Sequence, residues 1–259
     1  MAAPHLLKKS LPILARLSPS LSYKSAAPAA TSLLSRTLTQ PSATSSTSRA
    51  FTTSATMSAN KSFLDAVKER RTFYQLDNTA PISDDRIQEI VNDVVLAVPS
   101  SFNSQSTRVV VLLKKEHEKF WDIAKDVLKP QVPADAFPST EAKLNGFRAA
   151  YGTILFFEDP APVKDLQSKF AIYAHHFPVW SEHTSAMHQF ALWAGLEAEG
   201  FGANLQHYNP VVDRKVQDEW NIPQEWQLRA QLVFGGRANA DAGPKDQKPL
   251  EQRVFVHGK

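Results

Sequence analysis

WSEHTSAMHQFALWAGLEAEGFGANLQHYN, residues Trp180 to Asn209, decides how the rest of the chain is read. Its first part has the period of a helix, with Met187, Phe190, Ala191, Ala194 and Ala198 recurring on helical spacing. Trp180, Ala186 and Trp193 widen that face until little of the helix stays polar. A helix that is apolar nearly all round belongs in a core or across a subunit contact. Gly200 ends it, because glycine suits the left-handed position that closes a helix. From Gly202 to Asn209 the residues are small and polar, with flat groups between them. Nothing bulky at Gly200, Gly202 or Ala203 would keep a flat ligand from the backbone.

Outward from this stretch, short apolar runs alternate with helical patterns. Arg108–Leu113 and Gly152–Phe157 read as buried strands, and Leu228–Phe234 reads as a third, running into Gly235-Gly236. Arg253–Val256 reads as a short strand added at a sheet edge. Ser62 caps a helix through Phe63, Ala66 and Val67, and Ser83 caps one bearing Ile87, Ile90, Val91, Val94 and Val98 that Pro99 closes. Further helices are predicted over Glu116–Leu128, Ala142–Ala149 and near Arg214–Trp220, with a loop over Pro130–Pro138. Such alternation gives a layered α+β or α/β domain, and connectivity alone leaves the strand directions open.

Two polar clusters stand out. Arg70-Arg71-Thr72 leaves a helix end and can either fork a phosphate dianion or sit solvated beside the helix C-terminus. Ser100–Ser106 offers hydroxyls and amides, as a ligand edge requires, or forms an ordinary turn. The histidines at 175, 176, 183 and 188 have no metal-binding spacing and no carboxylate-rich surroundings. His183 reads as a polar group at a pocket mouth or a satisfied core histidine. The G-x-G at Gly200–Gly202 lacks the third glycine and follows a helix, so it is no dinucleotide fingerprint. Neither a P-loop nor a G-x-S-x-G elbow is present.

The chain has 259 residues, and its first 60 contain no acid, six basic residues and much Ser and Thr. That is the composition of an organelle transit peptide. Arg49-Ala50-Phe51-Thr52-Thr53-Ser54 resembles a mitochondrial two-step processing site, which puts the mature terminus near Ala59 and the protein in the matrix. A start at Met57 would instead give a cytoplasmic protein. Without the leader, residues 61–259 carry 23 basic and 26 acidic groups. The net positive charge therefore belongs to the removable segment and argues for no nucleic-acid surface. The leader's apolar run is too short and interrupted to span a membrane. With no cysteine, redox chemistry has to come from a bound cofactor.

Taken in order, R-R-T at 70–72, F-N-S-Q at 102–105, G-A-N-L-Q-H-Y-N at 202–209 and L-V-F-G at 232–235 resemble the nitroreductase family. They are most similar to its short branch with F-N-S-Q and A-N-L-Q-H-Y signatures, over residues 61 to 257. The resemblance implies an α+β three-layer sandwich with a mostly antiparallel central sheet and a long buried interface helix. It also implies a homodimer with FMN at the interface, reduced by NADH or NADPH. A small planar acceptor, nitroaromatic or quinone, would then take the electrons in a ping-pong cycle.

By the same resemblance, Arg70, Arg71 and Thr72 hold the FMN phosphate and ribityl chain, with Arg253 as a further basic contact. Ser101, Asn103 and Gln105 approach from the partner copy. Leu205, Gln206 and His207 pass under the ring, with a backbone N–H near His207 or Tyr208 directed at N5. Gly235 and Gly236 permit close approach, and His183 is a candidate proton donor to substrate. The family's usual second basic residue after the first motif is replaced here by Phe73-Tyr74-Gln75-Leu76, and its usual Glu or Gly near N5 is replaced around His207. A second reading keeps the flavin but loses turnover, leaving a redox-responsive interaction protein.

Overall fold

The computed structural model describes residues 61–238 and 242–259, so the expected leader over residues 1–60 lies outside the described residues. Five strands form one sheet: β1 (Leu76–Asp77), β2 (Thr107–Leu113), β3 (Gly152–Glu158), β4 (Gly202–Gln206) and β5 (Gln227–Arg237). The long β5 pairs with β3, β4 and β1, and β2 pairs with β3, all antiparallel. Seven helices surround it: α1 (Phe63–Glu69), α2 (Asp84–Ala97), α3 (Lys115–Leu128), α4 (Phe137–Arg148), α5 (Pro160–Lys169), α6 (Phe177–Ala198) and α7 (Asp213–Glu219).

β3 explains the layering. All seven of its residues are buried, and alternate side chains leave opposite faces of the strand. Ile154 and Phe156 join Ile87, Ile90 and Val91 of α2 with Leu192 and Leu196 of α6. Leu155 and Phe157 join Phe120, Trp121 and Ala124 of α3 with Leu144 and Phe147 of α4. Each such side chain contributes roughly 2 kcal/mol by leaving water. The result is two cores, one on each side of the sheet, and hence the α+β sandwich. β5 carries one extra residue where Phe156 faces Ala230 but Phe157 faces Leu228. This bulge lets Leu228 join the second core while Ala230, two residues on, stays in the first.

Several local expectations change. β4 occupies what reads in sequence as an irregular polar stretch. It is a strand because β5 supplies one edge and the Thr72–Phe73 segment the other, through a parallel bridge from Thr72 to Ala203. β2 is only half-buried over Arg108–Val111, since it pairs with β3 alone and lies at the sheet edge. α4 begins at Phe137, five residues before the predicted start, because Pro138 suits the first turn of a helix. The predicted strand Arg253–Val256 does not form. A short 3₁₀ turn at Leu250–Gln252 comes just before these residues, and Val254, Phe255 and Val256 stay exposed with no strand beside them among the described residues.

A buried relay ties α3 to the sheet. Trp121 Nε1–H donates to Thr153 Oγ1 at 3.1 Å, and Thr153 lies 2.8 Å from His117 Nδ1. His117 Nε2 lies 3.3 Å from the Arg148 carbonyl, which can only accept. Nε2 therefore carries the proton and Nδ1 accepts from Thr153. Burial pushes the pKa of His117 down to about 4, with the Arg148 and Phe147 carbonyls opposing. A depressed folded pKa gives stability that is complete above the unfolded value near 6.5 and is lost as pH falls through about 4. We expect about 3 kcal/mol to be lost over that window. Thermal melts against pH check this, and His117→Gln should show a shallower fall.

α6, at 22 residues, is the longest helix among the described residues. Its end follows the expected pattern: Gly200 has φ +94°, its N–H donates to Glu197 O, and Phe201 N–H donates to Leu196 O. A Cβ at Gly200 would meet nothing closer than Pro81 at 3.8 Å, so only backbone strain opposes a side chain there. Gly200→Ala is expected to cost about 1 kcal/mol, read as a lower urea midpoint with unchanged slope.

Within one chain α6 is not covered on every side. Within the chain it buries the face with Ser181, Thr184, Ser185, His188, Leu192 and Leu196. Val179, Met187 and Phe190 lie open on the other side, at 53%, 41% and 41% exposure. The helix is apolar on two sides, and the fold of one chain covers only one of them.

Candidate functional site

Three of the four sequence clusters meet on β4. Thr72 bridges to Ala203, Phe73 N–H donates to Ala203 O at 3.0 Å, and Asn204 Nδ2 donates to Phe73 O at 2.7 Å. The R-R-T arm therefore lies directly along the A-N-L-Q-H-Y arm. β5 runs along the other edge of β4, pairing Gly235 with Gly202 and Gln231 with Gln206. The start of the arm is anchored through buried Glu197, whose carboxylate takes Lys61 at 3.0 Å and Arg237 Nη2 at 2.5 Å. Arg237 in turn lies 4.5 Å from the Phe73 ring centre.

Arg70 is partly buried. Its guanidinium lies 4.3 Å from the Trp193 ring centre, and its Nε is buried with no hydrogen-bond partner among the described residues. Burial draws its pKa below the ordinary value; Glu197 opposes this and Arg71 adds to it. Arg71 Nη2 comes only within 3.5 Å of the Ala242 and Pro244 carbonyls. Among the described residues neither arginine has a carboxylate within ion-pair distance. Two adjacent guanidiniums with an orphan N–H suit a doubly charged anion such as a phosphate monoester.

The second arm is held by two buried amides that the sequence reading passed over, Asn204 and Gln231. Asn204 Oδ1 accepts from Gln206 Nε2 at 2.9 Å. Gln231 Oε1 accepts the Tyr208 N–H at 2.7 Å, and its Nε2 donates to Asn209 Oδ1 at 3.3 Å. The Tyr208 N–H is thus spoken for within the chain, which leaves His207 as the candidate for an N5 contact. His207 is exposed, and Leu205 and Gln206 are half-buried. In the sequence, the sign of these amides was a polar residue inside an otherwise apolar strand pattern, as at Gln231.

At Gly235 and Gly236 the chain itself comes close. A Cβ on Gly235 would lie 2.3 Å from Asp77 O, and one on Gly236 would lie 2.0 Å from Thr79 Oγ1. The close approach that glycine permits is taken by the chain's own β1 segment.

Ser101, Asn103 and Gln105 are not brought to this arm. Their turn packs at the start of α6, where the Phe102 ring lies 5.2 Å from Phe177 and 6.1 Å from Trp180. Arg70 instead meets α6 at Trp193. The thirteen helical steps from Trp180 to Trp193 correspond to about 20 Å of helix. The turn and Asn103, Gln105, Arg108 and His188 line a cavity of about 370 Å³. Arg253 is exposed on the C-terminal tail. His183 is exposed too. The buried histidine of this helix is His188, whose Nδ1 donates to Thr184 O at 2.9 Å.

The sequence model of the nitroreductase family matches residues 67–236. The nitroreductase FRM2 of Saccharomyces cerevisiae is 35% identical over 184 residues, 69% of this chain and 90% of its own. The nitroreductase CinD of Lactococcus lactis, solved with chloramphenicol, is 42% identical with a TM-score of 0.69, covering 76% of this chain and all of CinD. A Desulfovibrio desulfuricans protein solved in complex with FMN shares the fold at 17% identity, TM-score 0.54, over 76% of this chain and 96% of its own.

Proposed function

Because this chain belongs to the nitroreductase family, we propose that it is an FMN-dependent oxidoreductase that draws hydride from NADH or NADPH and reduces small planar acceptors. The observation that carries the reading is the joined pair of arms: two arginines without carboxylate partners among the described residues, bridged through Thr72 to the strand that ends at Gln206, just before His207. CinD has been solved with chloramphenicol and with 4-nitrophenol, which favours nitroaromatics as the acceptor class.

In this reading Arg70 and Arg71 grip the phosphate, and Thr72 contributes a hydroxyl or backbone contact to the same group. β4 and the residue after it would place Leu205, Gln206 and His207 beneath the ring, with Asn204 and Gln231 holding that strand end in place. When bound, FMN supplies an N5 that accepts hydride from the nicotinamide and passes electrons on to the acceptor. Turnover in this reading would need one face of the ring left open, so that the nicotinamide and then the acceptor could stack there. Donors and positive charge along the pyrimidine edge favour the reduced anion. His183 remains a candidate proton donor to the acceptor.

The open face of α6 supports a homodimer. Two copies of α6 packed antiparallel about a twofold bury Val179, Met187 and Phe190 against their counterparts. The start of one helix then lies beside the end of the other. Ser101, Asn103 and Gln105 of the second copy reach the arm that carries Arg70. Residues 61–259 form the cofactor domain of this assembly, and residues 1–60 its leader to the mitochondrial matrix. The mature N-terminus, read by mass spectrometry of the native protein, checks the leader.

Purified protein is expected to be yellow, and anaerobic NADH or NADPH should bleach it, with colour returning on addition of a nitroaromatic. Colourless protein that takes up no FMN sinks the proposal. Bound FMN with slow bleaching and no acceptor-dependent oxidation would point to a redox-responsive interaction protein.

A further inference from the structure

Glu158, the last residue of β3, is 3% exposed, yet among the described residues it has no Lys, Arg or His within ion-pair distance. The neighbouring guanidinium of Arg108 goes instead to Asp159 at 2.8 Å and to Gln105 O at 2.6 Å. Three hydroxyls donate to the Glu158 carboxylate: Ser106 Oγ at 2.6 Å, Thr107 Oγ1 at 2.5 Å and Ser181 Oγ at 2.5 Å. A buried carboxylate costs free energy unless donors surround it, and packing alone would be served as well by an apolar side chain. What these donors connect gives the carboxylate a purpose.

Ser106 and Thr107 directly follow the F-N-S-Q turn. Ser181 lies on the first turns of α6, beside the Trp180 ring that stacks on Phe102. The turn itself is strained: Phe102, Asn103 and Gln105 have φ of +54°, +53° and +48° without being glycine. Left-handed backbone at such residues costs roughly 1 kcal/mol each and persists only where the surroundings hold it. Within the turn, Gln105 N–H donates to Ser100 Oγ at 2.9 Å. Its exit is fixed by Asp159 N–H donating to Ser106 O at 2.9 Å and by the three-hydroxyl clamp.

We propose that Glu158 is a positioning residue. By clamping Ser106 and Thr107 to Ser181, it fixes the strained turn so that Ser101, Asn103 and Gln105 present their polar atoms to the flavin across the subunit contact. This role rests on the proposed function, since it presumes that the turn meets FMN. Glu158 touches no cofactor itself; it acts as a group that orients the residues that do.

FMN titrated into apoprotein of the full chain tests the role, with flavin fluorescence giving affinity and visible circular dichroism giving the asymmetry of the bound ring. Glu158→Leu removes the acceptor and is expected to weaken FMN binding about tenfold and alter the visible dichroism. Glu158→Gln keeps an acceptor, and the hydroxyls can rotate to receive its amide. It should stay within about threefold of wild type and restore the dichroism. Should Glu158→Leu fail to fold, Ser181→Ala removes one donor and is expected to weaken binding about threefold. A wild type that binds FMN, with well-folded Glu158→Leu and Ser181→Ala matching it in affinity and dichroism, overturns this role and leaves the proposed function standing. A wild type that binds no FMN overturns both.

Discussion

Protein carrying Arg70→Ala and Arg71→Ala together is expected to purify colourless and to bind FMN about a thousandfold more weakly than wild type. Each guanidinium offers charge-assisted hydrogen bonds to a phosphate, worth about 1.5–3 kcal/mol apiece. Neither is engaged by a carboxylate among the described residues, so little has to be released before the anion binds. The fold should survive the change. Arg70 contributes mainly its stacking on Trp193, about 1 kcal/mol at a partly exposed site, and Arg71 only long contacts to two carbonyls. Arg71→Lys is expected to fall between the two, since an ammonium keeps the charge but cannot fork the phosphate. The measurement is flavin content after dialysis, paired with an FMN titration at two salt concentrations. A double variant that stays yellow would place the phosphate elsewhere.

Gly235→Ala is expected to destabilise the protein by about 4 kcal/mol, an unusually large effect for adding one methyl group. At a domain of this size that is about 8–16 °C in Tm. The added Cβ would lie 2.3 Å from Asp77 O and 2.9 Å from Tyr151 N. Both are backbone atoms fixed in the sheet: Asp77 pairs with Gly236, and Tyr151 N–H donates to Phe234 O. Neither can turn aside as a flexible side chain could. The loss should appear in the apoprotein and be the same size with FMN present. A variant that melts normally without FMN but no longer binds it would return this glycine to the ligand.

Most of the framework was legible from the chain alone, because it rests on periodicity and on local chemistry. Ser62 and Ser83 cap the helices they were expected to cap, accepting from Asp65 N–H and Arg86 N–H. Leu155 and Phe156 read as buried because an unbroken apolar run has to be covered on both faces. β4 was not legible. Gly-Ala-Asn-Leu-Gln carries no strand pattern, and only the neighbouring edges of β5 and the Thr72–Phe73 segment make it one. The end of the chain failed the opposite way: Val254-Phe255-Val256 has strand character but nothing to pair with among the described residues.

The candidate site divides along the same line. Which residues bear its chemistry came from the order of short motifs, since residue type alone decides what can fork a phosphate or line a ring edge. How they are used was fixed by contacts between residues far apart in sequence. Only the fold reveals that Asp77 fills the space beside Gly235, that Gln231 occupies the Tyr208 N–H, and that Glu158 gathers three hydroxyls. The chain by itself determined the buried strands, the capped helices and the inventory of polar groups, because period and chemistry are local properties. Tertiary structure alone decided which of those groups are already satisfied and which, like Arg70 Nε, are left without a partner, because hydrogen bonding depends on where distant segments meet.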